Sequence, residues 1–195
     1  IGYTSGSSPS PFWLQHADFV WRGGADDSHA GAGEPFDRHS TYIDTCLQAH
    51  RITEMPMSAF VTFDIVQDRV VGSSSEAFER GAWWLAARTS LHHDWYVQAE
   101  DLDVERWKLL ARVAAWARAH EAIFRWSRMV GGDPGKGEVY GFAAWDERSG
   151  TLALRNPTAG PRTLEATLAD LLGPGAGDLP AEIEARPVFG ETRQL

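Results

Sequence analysis

The chain has 195 residues, 43% of them hydrophobic and 23% charged, a composition typical of a globular protein long enough to bury a substantial core. Its formal net charge of -9, spread along the chain, argues against a nucleic-acid partner because phosphate binding needs a basic face. No apolar run approaches the roughly 20 residues of a membrane span, so no membrane partner is expected, and the single cysteine, Cys46, excludes an internal disulfide.

The first half of the chain alternates between extended and helical patterns. Residues 1–11 are rich in Gly, Ser and Pro and predict a loop. Short apolar runs at 16–21 and 57–66 contain β-branched and aromatic residues and predict buried strands. Helical spacing follows each run, at 37–51 and at 75–89. This repeat of strand, loop and helix is typical of the βα units of a parallel sheet.

A long helix is predicted at 103–129. Asp103 is suited to cap its N-terminus, and the segment contains no Gly or Pro. The apolar positions that share one face of this helix are Leu109, Val113, Trp116, His120 and Phe124. The Gly-rich segment VGGDPGKG is expected to end it.

The remaining chain has the pattern of antiparallel β-structure. The runs at 138–145 and 151–156 predict a hairpin joined by the turn DERSG. The segment 162–172 is ambiguous between strand and helix, and 181–189 predicts a strand. A boundary is therefore expected near residue 130. It separates a partial α/β unit at 1–130 from an antiparallel, sandwich-like β domain at 131–195.

Two segments look like ligand motifs but do not have the required spacing. GGDPGKGE at 131–138 lacks the four-residue gap and the Ser or Thr of a phosphate-binding P-loop, and it leaves a helix instead of entering one. It is interpreted as a helix cap and linker. LHHDW at 91–95 contains potential metal ligands, but adjacent histidines seldom converge on one ion and no HxxxH spacing occurs. No metal site is predicted.

Acids at the ends of predicted strands are the better candidates for chemistry. Asp26 and Asp27 follow the strand at 16–21, and Asp64 closes the strand at 57–64. In βα barrels the functional residues project from the carboxyl ends of strands. Two carboxylates about 5 to 5.5 Å apart would suit a retaining glycosidase. The alternative is that each acid caps a helix or faces water.

Four stretches, taken in order, resemble the C-terminal part of bacterial α-galactosidase-like glycoside hydrolases: SPSPFWLQHADFVWRGGADD, HHDWYVQAEDL, VGGDPGKGEVYGFAAW and GTLALRNP. The resemblance spans residues 3–170 and implies the C-terminal βα units of a (β/α)8 barrel followed by an antiparallel β domain. It implies barrel strand seven at 16–21, strand eight at 57–64 and the last helical layer at 75–129. Such enzymes hydrolyse α-glycosidic bonds with retention, using two aspartates and no metal or organic cofactor.

The chain departs from the family pattern at both catalytic positions. The family's nucleophile lies at the end of strand four, and a complete barrel takes about 250 residues, so the chain is expected to be a fragment that lacks this strand. The family's acid/base follows strand six in the pattern Cys-x-Gly-Gly-Gly, with Arg and Asp shortly after. The matching stretch, YTSGSSPSPFW, has no acid and places Ser10 where that Asp is expected. The acid/base is therefore expected at Asp26 or Asp27, or is absent.

The segment after the strand at 16–21 loosely matches the sugar site of the family. The resemblance implies that Trp21 and Arg22 bind sugar beside the candidate catalytic residues Asp26 and Asp27, and that Trp13 forms an aromatic wall at the mouth of the site. Asp64 is a further candidate for sugar binding.

The leading prediction is a glycoside hydrolase of the α-galactosidase-like kind, present as a C-terminal fragment that is inactive alone. The alternative is a non-catalytic carbohydrate-binding or structural module derived from such an enzyme. A partial barrel leaves strand edges open, and open edges pair with other chains, so self-association is expected.

Overall fold

The computed structural model of the chain describes residues 2–5, 10–22, 29–48, 51, 55–66, 72–90, 92–146, 148–173, 179 and 183–189. The strands are β1 (Gly2–Ser5), β2 (Phe19–Arg22), β3 (Val61–Val66), β4 (His92–Tyr96), β5 (Arg128–Gly131), β6 (Tyr140–Trp145) and β7 (Gly150–Arg155). The α-helices are α1 (Pro35–Leu47), α2 (Ser75–Ala87), α3 (Val104–Ala119), α4 (Glu121–Phe124) and α5 (Leu168–Leu172). The chain is therefore a mixed α/β protein.

The first four strands run parallel and lie next to each other in chain order. β1 pairs with β2 and β3 pairs with β4, both in parallel register. A parallel bridge between Val20 and Phe60 joins β2 to the beginning of β3. The described residues form no closed barrel.

This parallel series is longer than the sequence predicted. The predicted strands at 16–21 and 57–66 correspond to β2 and β3, but residues 2–5 form a strand where a loop was expected. β4 interrupts the predicted helical layer at 75–129, so β3 is not the last strand of the series. Both unexpected strands are polar, and they are extended because a neighbouring strand supplies their backbone hydrogen bonds rather than because of local propensity.

The helices that follow the strands begin close to one another. Ser74 caps α2 by accepting from the Ala77 N–H, and it also donates its own N–H and hydroxyl to the Glu34 carboxylate at the start of α1. Arg106, in the first turn of α3, donates to the Ser73 carbonyl at 3.0 Å. Asp103 caps α3 as predicted, accepting from the backbone of residues 105 and 106. These contacts hold the N-terminal ends of α1, α2 and α3 side by side.

The helix predicted at 103–129 is shorter than expected. α3 ends at Ala119, and His120 has φ -110° and ψ 5°, outside the helical region. α4 adds one more turn, after which residues 128–131 form β5 instead of continuing the helix. Pairing of β5 with β6 in a sheet outweighs the helical pattern of this segment.

Residues after 127 form an antiparallel sheet in the order β5-β6-β7. The predicted hairpin is confirmed as β6 and β7. Part of the ambiguous segment at 162–172 is helical, as α5. The strand predicted at 181–189 is wrong for its described part, since residues 183–189 lack strand pairing. Across the described ranges this sheet has three strands, and the sandwich-like domain remains a prediction.

The main hydrophobic cluster contains residues from both sides of position 130. Val20 and Phe60 of the parallel strands lie in the same cluster as Tyr140 and Phe142 of β6. A second cluster fills the space among α1, α2 and α3 and includes Phe36, Phe78, Leu109 and Val113. The division into two domains at residue 130 remains a prediction, and the sheet on its far side shares a core with the parallel strands.

Gly81 allows α1 and α2 to approach closely. A Cβ atom at this position would lie 1.6 Å from Cε1 of Phe36, which is fully buried. We expect Gly81→Ala to lower the free energy of unfolding by about 1–3 kcal/mol, because the overlap outweighs the helix propensity of alanine. Urea unfolding measures this change. Gly160→Ala is the control, since no atom lies within 4 Å of the added methyl; equal stability of the two variants would contradict the prediction.

Candidate functional site

The ends of the four parallel strands form one edge of the sheet. The register pairs Ser5 with Arg22 and Val66 with Tyr96, and each is the last residue of its strand. We call this row of strand ends the carboxyl edge. In α/β proteins, ligands bind at this edge because the loops after the strands and the helix N-termini meet there.

Asp64 occupies an irregular position close to the carboxyl edge. Phe63 pairs with Asp94 and Ile65 pairs with Trp95, so Asp64 is the extra residue of a β-bulge. Bulges bend a strand, redirect its side chains and are over-represented beside active sites. Asp64 thus lies two residues before the end of β3, near the position that the sequence predicted for it.

The other predicted site residues are distributed as follows. Trp21 and Arg22 are the last two residues of β2 and reach the carboxyl edge. Trp13 lies in a 3-10 turn at Pro11–Gln15 and packs, partly buried, against the main hydrophobic cluster. Asp26 and Asp27, the candidate catalytic acids, lie outside the described residues. The distance between a pair of catalytic carboxylates therefore stays a prediction.

Ser10 has a local structural role. It precedes the turn at Pro11–Gln15, and its hydroxyl accepts from the Phe12 N–H at 3.4 Å. A Ser before a Pro-initiated turn is a common helix cap. The residue that stands where the family's Asp was expected thus caps a turn.

Two exposed aromatic residues at the carboxyl edge were missed by sequence reasoning. Trp95 and Tyr96 end β4 and are 39% and 45% exposed. Trp107, in the second turn of α3, is 41% exposed. Trp95 is the last residue of LHHDW and Tyr96 follows it, so the aromatic pair is visible in the sequence, but the segment was interpreted only for metal ligands. Flat aromatic faces exposed beside a strand edge suit stacking on apolar ring surfaces.

The two histidines of LHHDW have different partners. The His92 ring stacks on Phe19, with centroids 4.1 Å apart, whereas His93 Nδ1 is hydrogen-bonded to the Thr62 hydroxyl at 2.9 Å. Successive side chains of a strand point to opposite faces, so the two imidazoles do not converge. Among the described side chains, no group of three or more His, Cys, Asp or Glu is arranged to hold a metal ion.

His93 is partly buried and lies beside the fully buried Thr62. Burial, and then the nearby positive charge of Arg88, lower its pKa from 6.5 to about 4. The other ring nitrogen, Nε2, is buried without a hydrogen bond to the described residues. The imidazole is therefore neutral near pH 7.

A buried ionic cluster joins α1 and α2 to the antiparallel sheet. The Asp44 carboxylate accepts from Arg88 Nε at 2.6 Å, from Trp84 Nε1 at 2.7 Å and from the Tyr140 hydroxyl at 2.5 Å. Asp44 and Arg88 are both fully buried. Burial, and then the charge of Asp44, raise the pKa of Tyr140, so its hydroxyl remains a donor. Because all of these groups are already paired, this cluster holds the fold together rather than binding a ligand.

The loop at 131–138 has no backbone donors available for a phosphate. The Asp133 N–H donates to the Glu138 carboxylate and the Gly135 N–H to the Asp133 carboxylate, both at 2.8 Å. The N–H groups of Gly132 and of residues 136–138 donate to backbone carbonyls of the same loop. A P-loop needs such groups free. Gly137 instead adopts φ +73° and closes a 3-10 turn between β5 and β6.

Comparisons with family models, with curated proteins and with solved structures returned no match for this chain. Within the described part of the chain, none of the helices is long and apolar enough to cross a membrane.

Proposed function

We propose that the chain belongs to a carbohydrate-active glycosidase of the α-galactosidase-like kind, with its sugar site at the carboxyl edge. The observation that carries the proposal is that four residues of suitable chemistry lie at or near the ends of the parallel strands, two of them exposed aromatic residues: Arg22, Asp64, Trp95 and Tyr96. Carboxylates and arginine bind hydroxyls by charge-assisted hydrogen bonds, and aromatic faces stack on sugar rings.

The strand order supports a barrel-like arrangement. In a doubly wound sheet the order reverses at a switch point, whereas in a barrel each parallel strand lies next to its successor. β1 to β4 follow the second pattern, and α1, α2 and α3 contact one another in chain order. The proposal that these units belong to a (β/α)8 barrel rests on this order.

The presence of β4 changes the expected strand numbers. After α3 and α4 the chain enters the antiparallel sheet, so β4 is the last parallel strand before the change of architecture. If β4 is the eighth barrel strand, then β2 is the sixth. Asp26 and Asp27 then follow strand six within a Gly-rich segment, which is where the resemblance locates the acid/base. Under this numbering an acid does follow strand six, in contrast to the numbering in which β2 is the seventh strand.

In the proposed mechanism, Asp26 or Asp27 protonates the leaving glycosidic oxygen and a second carboxylate attacks the anomeric carbon. The first residue then deprotonates the water that hydrolyses the glycosyl-enzyme intermediate. Arg22 and Asp64 bind sugar hydroxyls at the strand ends.

The test uses the full-length protein with Asp26→Asn or Asp27→Asn. We expect one of these variants to lose about 10²- to 10⁴-fold in kcat on an alkyl α-galactoside, as is typical for loss of a general acid. On a dinitrophenyl α-galactoside the loss in kcat/KM should be much smaller, because this leaving group departs without a proton, whereas kcat should still fall because hydrolysis of the glycosyl-enzyme lacks its general base. Glu165→Gln, at an exposed position, is the control.

Unchanged turnover in both aspartate variants would exclude them as acid/base residues. Binding of galactosides in calorimetry without any hydrolysis by the full-length protein would favour the alternative, a non-catalytic carbohydrate-binding module. Self-association through open strand edges remains a prediction of the same proposal.

A further inference from the structure

We propose that the turn at 156–160, directly after β7, positions the loop between β2 and α1, which contains both candidate acids, Asp26 and Asp27. The positioning residues are Gly31, in this loop, and Pro157, in the turn. The inference rests on the proposed function, because it gives the antiparallel sheet a part in placing the acid/base of that reaction.

The described end of this loop, residues 29–33, lies directly on the turn. The Ala32 N–H donates to the Pro157 carbonyl at 2.9 Å, and Pro157 is buried. Gly31 has φ +72°, and a Cβ atom there would lie 2.6 Å from the Pro157 oxygen. Glycine is the residue that combines a left-handed backbone with such a close approach. The antiparallel sheet therefore contacts the loop through backbone atoms, at a position with no room for a side chain.

The same end of the loop is also attached to α1. The Ala30 N–H donates to the Arg38 carbonyl at 3.0 Å. The exposed His29 ring meets the fully buried His39 ring edge-on, with centroids 6.5 Å apart. Asp27 precedes His29 by two residues in the chain. Each residue of a chain spans at most about 3.6 Å, so an attachment this close in sequence limits the positions open to the acid.

Hydrogen bonds within the turn hold the Pro157 carbonyl in place. The Asn156 side chain accepts from the Thr158 N–H at 3.0 Å and donates to the Gly160 carbonyl at 2.7 Å. The Thr158 hydroxyl donates to the same carbonyl at 3.0 Å. Asn side chains that bond to the backbone two residues on fix turns in this way. The turn therefore presents a defined surface to the loop.

Arg155, the last residue of β7, fixes the turn relative to α1. Its guanidinium donates to the Asp37 carbonyl and lies over the Trp84 ring, 5.5 Å from the centroid. The Asp37 carboxylate accepts from Arg80 Nη2 at 3.0 Å and from the Glu34 N–H at 3.2 Å, at the beginning of α1. The loop, the turn and the beginning of α1 thus form one connected set of contacts.

Placement affects an acid/base more than it affects a residue that only binds sugar. Proton transfer needs the acid within about 2.6–3.2 Å of the glycosidic oxygen, and an error of about 1 Å can lower the rate about 10²-fold. A misplaced acid slows cleavage of a poor leaving group, whereas a good leaving group departs without a proton. Loss of folded protein lowers both rates equally, so the ratio of the two rates reports positioning separately from stability.

Gly31→Ala in the full-length protein tests the contact, because its methyl group would overlap the Pro157 oxygen. The measured quantity is kcat/KM for an alkyl α-galactoside divided by kcat/KM for a dinitrophenyl α-galactoside. We expect this ratio to fall about 10- to 100-fold. Gly131→Ala is the matched control. Gly131 has φ +75°, and its Cβ atom would lie 2.7 Å from the Val139 oxygen, with none of the three nearest atoms in the loop. Its ratio should stay that of the parent.

Asn156→Ala is a milder second variant at an exposed position. It removes the side chain that braces the turn and leaves the packing of Gly31 unchanged, so the ratio should fall about three- to tenfold. Asp146→Ala is its control. The Asp146 carboxylate accepts from the N–H groups of residues 148 and 149 in the hairpin turn at the opposite end of the sheet. This control should leave the ratio unchanged.

An unchanged ratio in both Gly31→Ala and Asn156→Ala, or an equal fall in Gly131→Ala, would overturn the inference. The proposed function fails by a different result, which is unchanged turnover in both Asp26→Asn and Asp27→Asn. If one aspartate variant loses activity as expected while the ratio in the glycine and asparagine variants stays constant, the positioning role alone is excluded. Absence of hydrolysis by the parent protein would overturn both.

Discussion

Asp44→Ala is expected to lower the free energy of unfolding by about 3–5 kcal/mol, the range for removing one partner of a buried ion pair. The Arg88 guanidinium would remain fully buried without its carboxylate, which it contacts at 2.6 Å. The indole N–H of Trp84 and the hydroxyl of Tyr140 would lose their acceptor as well. A loss of this size is a large fraction of the stability of an ordinary domain, about 5–15 kcal/mol.

The loss of stability in Asp44→Ala should affect the helices and the antiparallel sheet together. Asp44 lies on α1, Arg88 follows α2, and Tyr140 begins β6, so the cluster joins the helical layer to the antiparallel strands. Urea unfolding monitored by tryptophan fluorescence and by circular dichroism should therefore show one transition that moves as a whole. Two separate transitions in the variant would mean that residues before and after position 130 unfold independently.

The double variant Asp44→Leu with Arg88→Met serves as the matched comparison. Removing both charges leaves no uncompensated ion, so it should be less destabilised than the sum of the single variants. A loss below about 1 kcal/mol for Asp44→Ala, the size of an ordinary exposed ion pair, would contradict the proposed role of the cluster.

Elements whose pattern is local could be predicted from the sequence. The hairpin of β6 and β7 is specified by two short extended runs around a turn, and α3 begins where Asp103 can cap it. β1 and β4 could not be predicted in this way. Their residues, GYTS and HHDWY, carry no buried apolar run, and they are strands because β2 and β3 lie beside them.

The candidate site was predictable only in part, for the same reason. The position of Asp64 near a strand end follows from the chain order, but its bulge arises from the register between β3 and β4. The pairing of Asp44 with Arg88 joins residues 44 positions apart, and nothing in their local patterns indicates it. Such contacts depend on how helices meet, which a single sequence does not specify.

Lowering the pH from 6.5 to 4 is expected to remove about 3 kcal/mol of stability through His93 alone. The pKa of this residue is about 4 in the folded chain and 6.5 in an unfolded one. The unfolded state therefore binds the proton first as the pH falls. The contribution of the neutral imidazole is fully present above pH 6.5, is lost progressively down to pH 4, and changes no further below that.

The structural cause lies in the surroundings of the ring. Thr62, hydrogen-bonded to Nδ1, is fully buried, and Nε2 has no hydrogen-bonding partner among the described residues. A proton on the imidazole would place a charge in an enclosed space near the Arg88 cation, where His92 adds further unfavourable interaction. Protonation of His93 thus destabilises the folded chain near Arg88, the residue that pairs with Asp44 in the buried cluster.

His93→Gln separates this contribution from general acid denaturation. Gln cannot titrate, so the free energy of unfolding of the variant should fall less between pH 6.5 and pH 4, by about 3 kcal/mol, than that of the parent chain. His16→Gln, at an exposed position, is the control for replacing a histidine elsewhere in the chain. If parent and His93→Gln lose stability in parallel over this interval, the enclosed imidazole is not the group that links folding to pH. If only the parent loses it, the neutral form of His93 stabilises the folded chain.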